Sequence, residues 1–134
     1  MIFKPLKCIG ISYKKTEVSV RSKFALTESS ILERYSNTNL FHFFIISTCN
    51  RTEIYSFDQP YDELLKLLVG DGDMELFKRE AYYIDDRECF EHLVEVTSGM
   101  DSQLLGDYEV SGQIKDSLKM AGDAGKLGGY FEKI

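Results

Sequence analysis

The chain has 134 residues, 43% of them apolar and 28% charged, which is enough for one compact domain with a real core and too little for two. Sixteen basic and 22 acidic residues give a net charge of −6, which argues against a module that wraps a phosphate backbone but allows contact with one end of a nucleic acid. The longest apolar run is only a few residues, so the sequence suggests no membrane span and no secretory leader, and a cytoplasmic protein is expected.

Lys7-Cys8-Ile9-Gly10-Ile11-Ser12-Tyr13 alternates and predicts a first strand, ended by Lys14-Lys15-Thr16. A helix is predicted from Thr27, a good N-cap, with Ile31, Leu32 and Tyr35 as its stripe and Asn37-Thr38-Asn39 as its stop. Leu40 to Ser47, with His42 inside it, reads as a central strand of aromatic and branched residues. Glu53 to Phe57 reads as its hairpin partner, leaving Cys49 in the connection.

Pro60 opens a helix carrying Leu64, Leu65, Leu67 and Leu68, stopped by Gly70-Asp71-Gly72. Ala81 to Ile84 is a short strand. Asp85 and Glu88 predict a capping box for a helix that buries Phe90, Leu93 and Val94 and ends at Gly99. Tyr108 to Ala124 is a last helix, with Val110, Ile114, Leu118 and Ala121 on one face.

Strand, helix, strand, strand, helix, strand predicts an α+β fold, the ferredoxin-like βαββαβ sandwich: an antiparallel sheet with helices on one face, followed by an additional C-terminal helix. A single domain over 1–134 is expected, with a core at about 1–106 and a trailing helical segment at about 107–134. The closing LGGYFEKI has no stop signal, which suggests a chain that continues.

Three cysteines, at 8, 49 and 89, argue against a disulfide framework. Cys49 stands among Ser47, Thr48, Asn50, Arg51 and Thr52 in a short connection, where reactive groups tend to sit. Arg51 offers a charge that would lower the ordinary thiol pKa of about 8.5. Cysteine is also a common core residue, so the local residues leave packing and catalysis both open.

A nucleophilic thiol usually works with a base, and only His42 and His92 exist. His42 reads as a structural residue of its strand. His92 shares a helical face with Cys89, three residues before it, but that spacing is weakly informative. No second Cys or His lies within ligand spacing of either, so no metal is expected. Gly99 to Gly106 reads as a turn, and Glu109 with Gln113 as a solvated helix face. Neither a G-x-G-x-x-G nor a Walker sequence occurs.

Taken together, GISYKKTEVSVRSKFALTE, STCNRTEIY, HLVEVTSGMDSQLLGD and GQIKD, in that order, resemble the N-terminal catalytic region of the glutamyl-tRNA reductase family. The resemblance covers nearly the whole chain and implies a ferredoxin-like fold for it. It implies NADPH-dependent reduction of glutamyl-tRNA to glutamate-1-semialdehyde, the first step of the five-carbon route to tetrapyrroles. In that reaction Cys49 attacks the aminoacyl ester, releases the tRNA and holds a thioester for hydride reduction.

By the same resemblance Thr48, Asn50 and Arg51 bind substrate, with Arg51 gripping the side-chain carboxylate through two hydrogen bonds. His92 orients groups or transfers a proton, and Ser102 and Gln113 bind substrate. Asp107-Tyr108-Glu109 stand in substrate-binding positions where the family usually reads Glu-Pro-Gln. The implied NADPH-binding and dimerisation domains are not in this chain. The implied partners are glutamyl-tRNA, a second subunit and glutamate-1-semialdehyde aminomutase. Reading the residues without the resemblance, a Cys/His esterase or thioesterase and a non-catalytic binding module are the alternatives.

Overall fold

The computed structural model describes residues 5–57, 59–98 and 108–127, with side chains of the last segment described from 115 onward. Four strands form one antiparallel sheet in the order β2-β3-β1-β4. They are β1 (Lys7–Ser12), β2 (Phe43–Ser47), β3 (Arg51–Ser56) and β4 (Tyr82–Asp85). This is the ferredoxin-like order, with β1 and β3 at the centre.

Period-two alternation sorts the strands into two faces. Lys7, Ile9, Ile11, Phe43, Ile45 and Ile54 lie on one face, and Cys8, Gly10, Phe44, Ile46, Glu53 and Tyr55 on the other. Both faces are covered at the centre of the sheet: Ile9, Ile11 and Phe43 to Ile46 are fully buried. Burying each such side chain contributes about 1.5–3 kcal/mol, and that explains the unbroken apolar run of β2.

The first face is covered by α1 (Val18–Phe24), α2 (Glu28–Ser36), α3 (Tyr61–Val69) and α4 (Met74–Glu80). Tyr35 of α2 packs edge-on against Phe43 at 5.5 Å, and its hydroxyl accepts from the Ile45 N–H. Tyr61 of α3 packs on Tyr83 at 5.4 Å. Thr27 caps α2 by accepting from the Ser30 N–H, and Gly70, with φ of 59°, ends α3 as predicted.

Two helices in this layer have no counterpart in the sequence reading. In α1 only Phe24 is buried and its N-cap Glu17 makes no side-chain bond. In α4 only Phe77 is buried. Each therefore offers a single anchor rather than a stripe, and the two anchors meet edge-on at 5.0 Å. Asp73 caps α4 by accepting from the Leu76 N–H.

The opposite face carries α5 (Asp86–Thr97), while α6 (Tyr108–Asp123) runs beside β2. The sandwich helices α2 and α3 thus share one face as expected, with α1 and α4 beside them, while α5 and α6 lie outside that layer. Three local expectations are corrected here. Asp85 makes no side-chain cap bond, because it is still paired with Lys7 in the sheet and the Asp86 N–H donates to the Leu6 carbonyl. The buried stripe of α5 is Cys89, Leu93 and Val96, whereas Phe90 and Val94 are about half exposed. His42 lies outside β2, with φ of 63°, and its N–H donates to the Lys126 carbonyl.

That last contact also closes the sheet edge. The Lys126 carbonyl accepts from the N–H groups of His42 and Phe43, at 2.6 and 3.1 Å. The Lys126 ammonium donates to the Thr38 carbonyl and sits over the Phe41 ring. An otherwise open strand edge is thereby covered by its own chain.

Candidate active site

Cys49 is exposed at the tip of the β2–β3 hairpin, while Cys8 and Cys89 are buried and none is in a disulfide. The tip is a tight, braced turn. The Thr48 N–H donates to the Arg51 carbonyl at 2.8 Å, and the Asn50 N–H donates to the Thr48 hydroxyl. The Asn50 carbonyl accepts from the Tyr13 N–H, tying the turn to the loop after β1. Arg21 of α1 adds a further clamp, donating to the carbonyls of Cys49 at 3.4 Å and Thr16 at 2.6 Å. Arg21 is absent from the expected site, and its signal was only a lone cation in an unrecognised helix.

From the tip, β3 carries Arg51, Glu53 and Tyr55 inward on the α5 face. Thr48 is half-buried, Asn50 is buried and Arg51 is 1% exposed. Arg51 therefore lies under the turn, with its guanidinium 3.6 Å from the Glu53 carboxylate.

Glu53 has no solvent exposure and is the hub of the region. Tyr55 donates to its Oε1 at 2.8 Å, and Tyr82 donates to its Oε2. His92 Nε2 lies 2.6 Å from Oε2, and the Cys8 thiol points at the same oxygen from 3.7 Å. Burial alone would raise the Glu53 pKa. The hydrogen bond and charge of His92, with Arg51 and Tyr82, outweigh burial and hold the carboxyl below its usual range. An ionised carboxylate only accepts, so Nε2 of His92 carries the proton in this contact.

The neighbours respond in the opposite direction. Burial first, then the Glu53 charge, raises the Tyr55 and Tyr82 hydroxyls. Burial first, then the hydrogen bond that the protonated thiol makes with Cys89, raises the Cys8 thiol well above its ordinary value.

His92 is thus bound to Glu53 rather than to the Cys49 thiol. Glu53 stands two strand residues beyond Arg51, roughly 7 Å along β3 at about 3.3 Å per residue, and Cys49 lies on the far side of Arg51 in the turn. Sequence reasoning missed Glu53, Tyr82 and Cys8 as site residues. Their signal was a row of polar residues, Arg51-Glu53-Tyr55, on one face of a strand buried on both sides. Ser102 and Asp107 lie outside the described residues. Tyr108, Glu109 and Gln113 fall on α6, and their side chains lie outside the described ones.

Cys8, Glu53 and His92 place one donor atom each within 4.8 Å of one another. The carboxylate oxygen they share already faces the Arg51 guanidinium, a cation that competes with any metal there.

Residues 9–134 match the family model for the glutamyl-tRNA(Glu) reductase N-terminal domain. The chain belongs to this family. It is similar to glutamyl-tRNA reductase of Christiangramia forsetii, 37% identical over 131 residues covering 94% of this chain and 31% of that protein. The Flavobacterium psychrophilum reductase is 40% identical over 112 residues, covering 80% and 27% respectively. The solved glutamyl-tRNA reductase of Methanopyrus kandleri matches with a TM-score of 0.75 and 25% identity, over 95% of this chain and 30% of that one. The chain therefore spans about a third of the length of the relatives it matches. Among the described residues, no helix is long and apolar enough to cross a membrane.

Proposed function

We propose that this reductase-family domain takes the glutamyl group from glutamyl-tRNA onto Cys49 as a thioester, ahead of reduction to glutamate-1-semialdehyde in the cytoplasm. The observation that carries the reading is that Cys49, within Thr-Cys-Asn-Arg, is exposed on a braced turn while the other two thiols are buried.

The thiolate sulfur attacks the ester carbonyl carbon, the carbon–oxygen bond to the ribose breaks, and the alkoxide leaves with a proton. The clamped turn fixes the sulfur in space, which supplies orientation. Thr48 and Asn50, the neighbours of Cys49 in the turn, are the residues we assign to the amino group and carbonyl of the substrate. Arg51, beneath the turn, supplies charge for the glutamyl carboxylate. His92, hydrogen-bonded to Glu53, is the group we assign to orientation, acting through Glu53 and Arg51 on the turn, and the leaving oxygen takes its proton from water.

Sulfur donates weakly into a carbonyl, so the thioester accepts hydride more readily than the ester did. In the longer protein, bound NADPH would be the source of that hydride. The residues here do not fit a dinucleotide: no Gly-rich fingerprint occurs, and the cleft of about 600 Å³ between α2 and α6 is lined by Glu28, Asp116 and Asp123 against the single cation Lys119. We therefore assign NADPH binding, dimerisation and any contact with an aminomutase to parts of the protein outside this chain.

Mass spectrometry after mixing the chain with glutamyl-tRNA tests the reading. The expected product is one glutamyl adduct on Cys49 and no aldehyde. An adduct on another cysteine, or none, would overturn it, and rapid hydrolysis with turnover would favour an esterase.

A further inference from the structure

The acidic balance of the chain conceals a basic corner beside Cys49. Between residues 13 and 24 stand Lys14, Lys15, Arg21 and Lys23 against one acid, Glu17. Four contacts bring this stretch to the hairpin tip and to α4. The Tyr13 N–H donates to the Asn50 carbonyl, and Arg21 donates to the Cys49 carbonyl. The Lys15 ammonium donates to the Arg79 carbonyl at 3.4 Å, and Phe24 packs on Phe77. The last turn of α4 adds Lys78 and Arg79, whereas its acids Asp73 and Glu75 sit at the other end of the helix. Lys14, Lys15, Lys23, Lys78 and Arg79 are all exposed, and Glu80 at the end of α4 is only half so.

We propose that this corner, formed by the β1–α1 loop, α1 and the last turn of α4, seats the phosphate backbone of the RNA acceptor end whose terminal ester reaches Cys49. The inference rests on the reading of Cys49 as the acylation site and adds the surface that recognises the polymer. The exposed lysine ammonium groups and the Arg79 guanidinium meet phosphates by charge, giving affinity without reading sequence. A site at one corner, rather than over the whole domain, reconciles a net charge of −6 with an RNA partner. The acids elsewhere repel the backbone and leave one orientation favourable.

The test uses the intact chain and two double variants, Lys14→Glu with Lys15→Glu, and Lys78→Glu with Arg79→Glu. The control, Lys115→Glu with Lys119→Glu on the exposed part of α6, makes the same change in net charge. Fluorescence anisotropy with an unacylated tRNA(Glu) transcript and with an acceptor-stem hairpin is followed against salt. Each corner variant is expected to weaken both probes by about tenfold or more and to flatten the dependence of log K on log salt by roughly one to two. The control is expected to change both far less. Equal weakening in the control, or none in the corner variants, overturns the proposal.

A short ester, 3′-O-glutamyl adenosine, separates this outcome from the proposed function. Acylation of Cys49 by the short ester with tRNA binding indifferent to the corner removes the surface and keeps the chemistry. Failure of Cys49 to be acylated by either substrate removes the chemistry, while the anisotropy still decides the surface.

Discussion

Gly10 stands directly across the β1–β3 ladder from Glu53, and a Cβ at position 10 would lie 2.5 Å from the Glu53 Cγ. The same Cβ would meet the Thr52 carbonyl at 2.7 Å. The glycine therefore makes the space in which the buried carboxylate lies, and the strand position specifies both residues together.

Gly10→Ala should accordingly destabilise the fold by about 1–3 kcal/mol through overpacking against a backbone that cannot yield. Urea denaturation reads the loss. A stability equal to the parent would show that Glu53 is free to move aside.

Removing the carboxylate itself should cost more. Glu53→Ala leaves the buried Arg51 guanidinium without its counter-charge and His92 without its hydrogen-bond partner, a loss of about 3–5 kcal/mol. Glu53→Gln keeps the shape and some hydrogen bonds and should fall between the parent and Glu53→Ala. The same denaturation series ranks the three proteins, and an equal cost for both variants would count against a charge-based hub.

Acid should reproduce part of that loss. The folded Glu53 pKa lies below the unfolded one, so its stabilisation is present above the ordinary glutamate value of about 4.3. The stabilisation is lost as pH falls from there through the folded value. In Glu53→Gln this component of the pH–stability curve should be missing.

Alkali should act through different groups. The Cys8 thiol and the Tyr35, Tyr55 and Tyr82 hydroxyls are raised in the fold, Tyr35 to about 12. The unfolded chain gives up these protons first. Stability should decline above about 8.5 for the thiol and about 10 for the phenols. Removing the thiol with Cys8→Ala should delay the onset, measured as the thermal midpoint against pH.

Thiol labelling separates the three cysteines. Iodoacetamide should modify Cys49 in the native chain, and Cys8 and Cys89 only when the domain opens. Cys49→Ser, on an exposed turn, should change stability by less than about 0.5 kcal/mol. Peptide mapping before and after denaturant provides the check.

The strands, the α2, α3 and α6 helices, the hairpin and the Cys49 turn were legible in the sequence, because each has its own periodicity or punctuation. Helices α1 and α4 were not, because Phe24 and Phe77 are one anchor each and gain meaning only by touching. The phase of α5 was misread for a related reason. Phe90 and Val94 are as apolar as Leu93, and only the position of the sheet decides which side of the helix is covered.

By itself the sequence determined the order of the strands, the family and the placing of one cysteine at a polar turn, since these depend on neighbours along the chain. Tertiary structure alone decided that Glu53 is the hub, that His92 answers to it, and that Arg21 clamps the turn. Those contacts join residues 28 to 45 positions apart. A buried charge takes its meaning from whichever groups the fold brings within hydrogen-bonding reach.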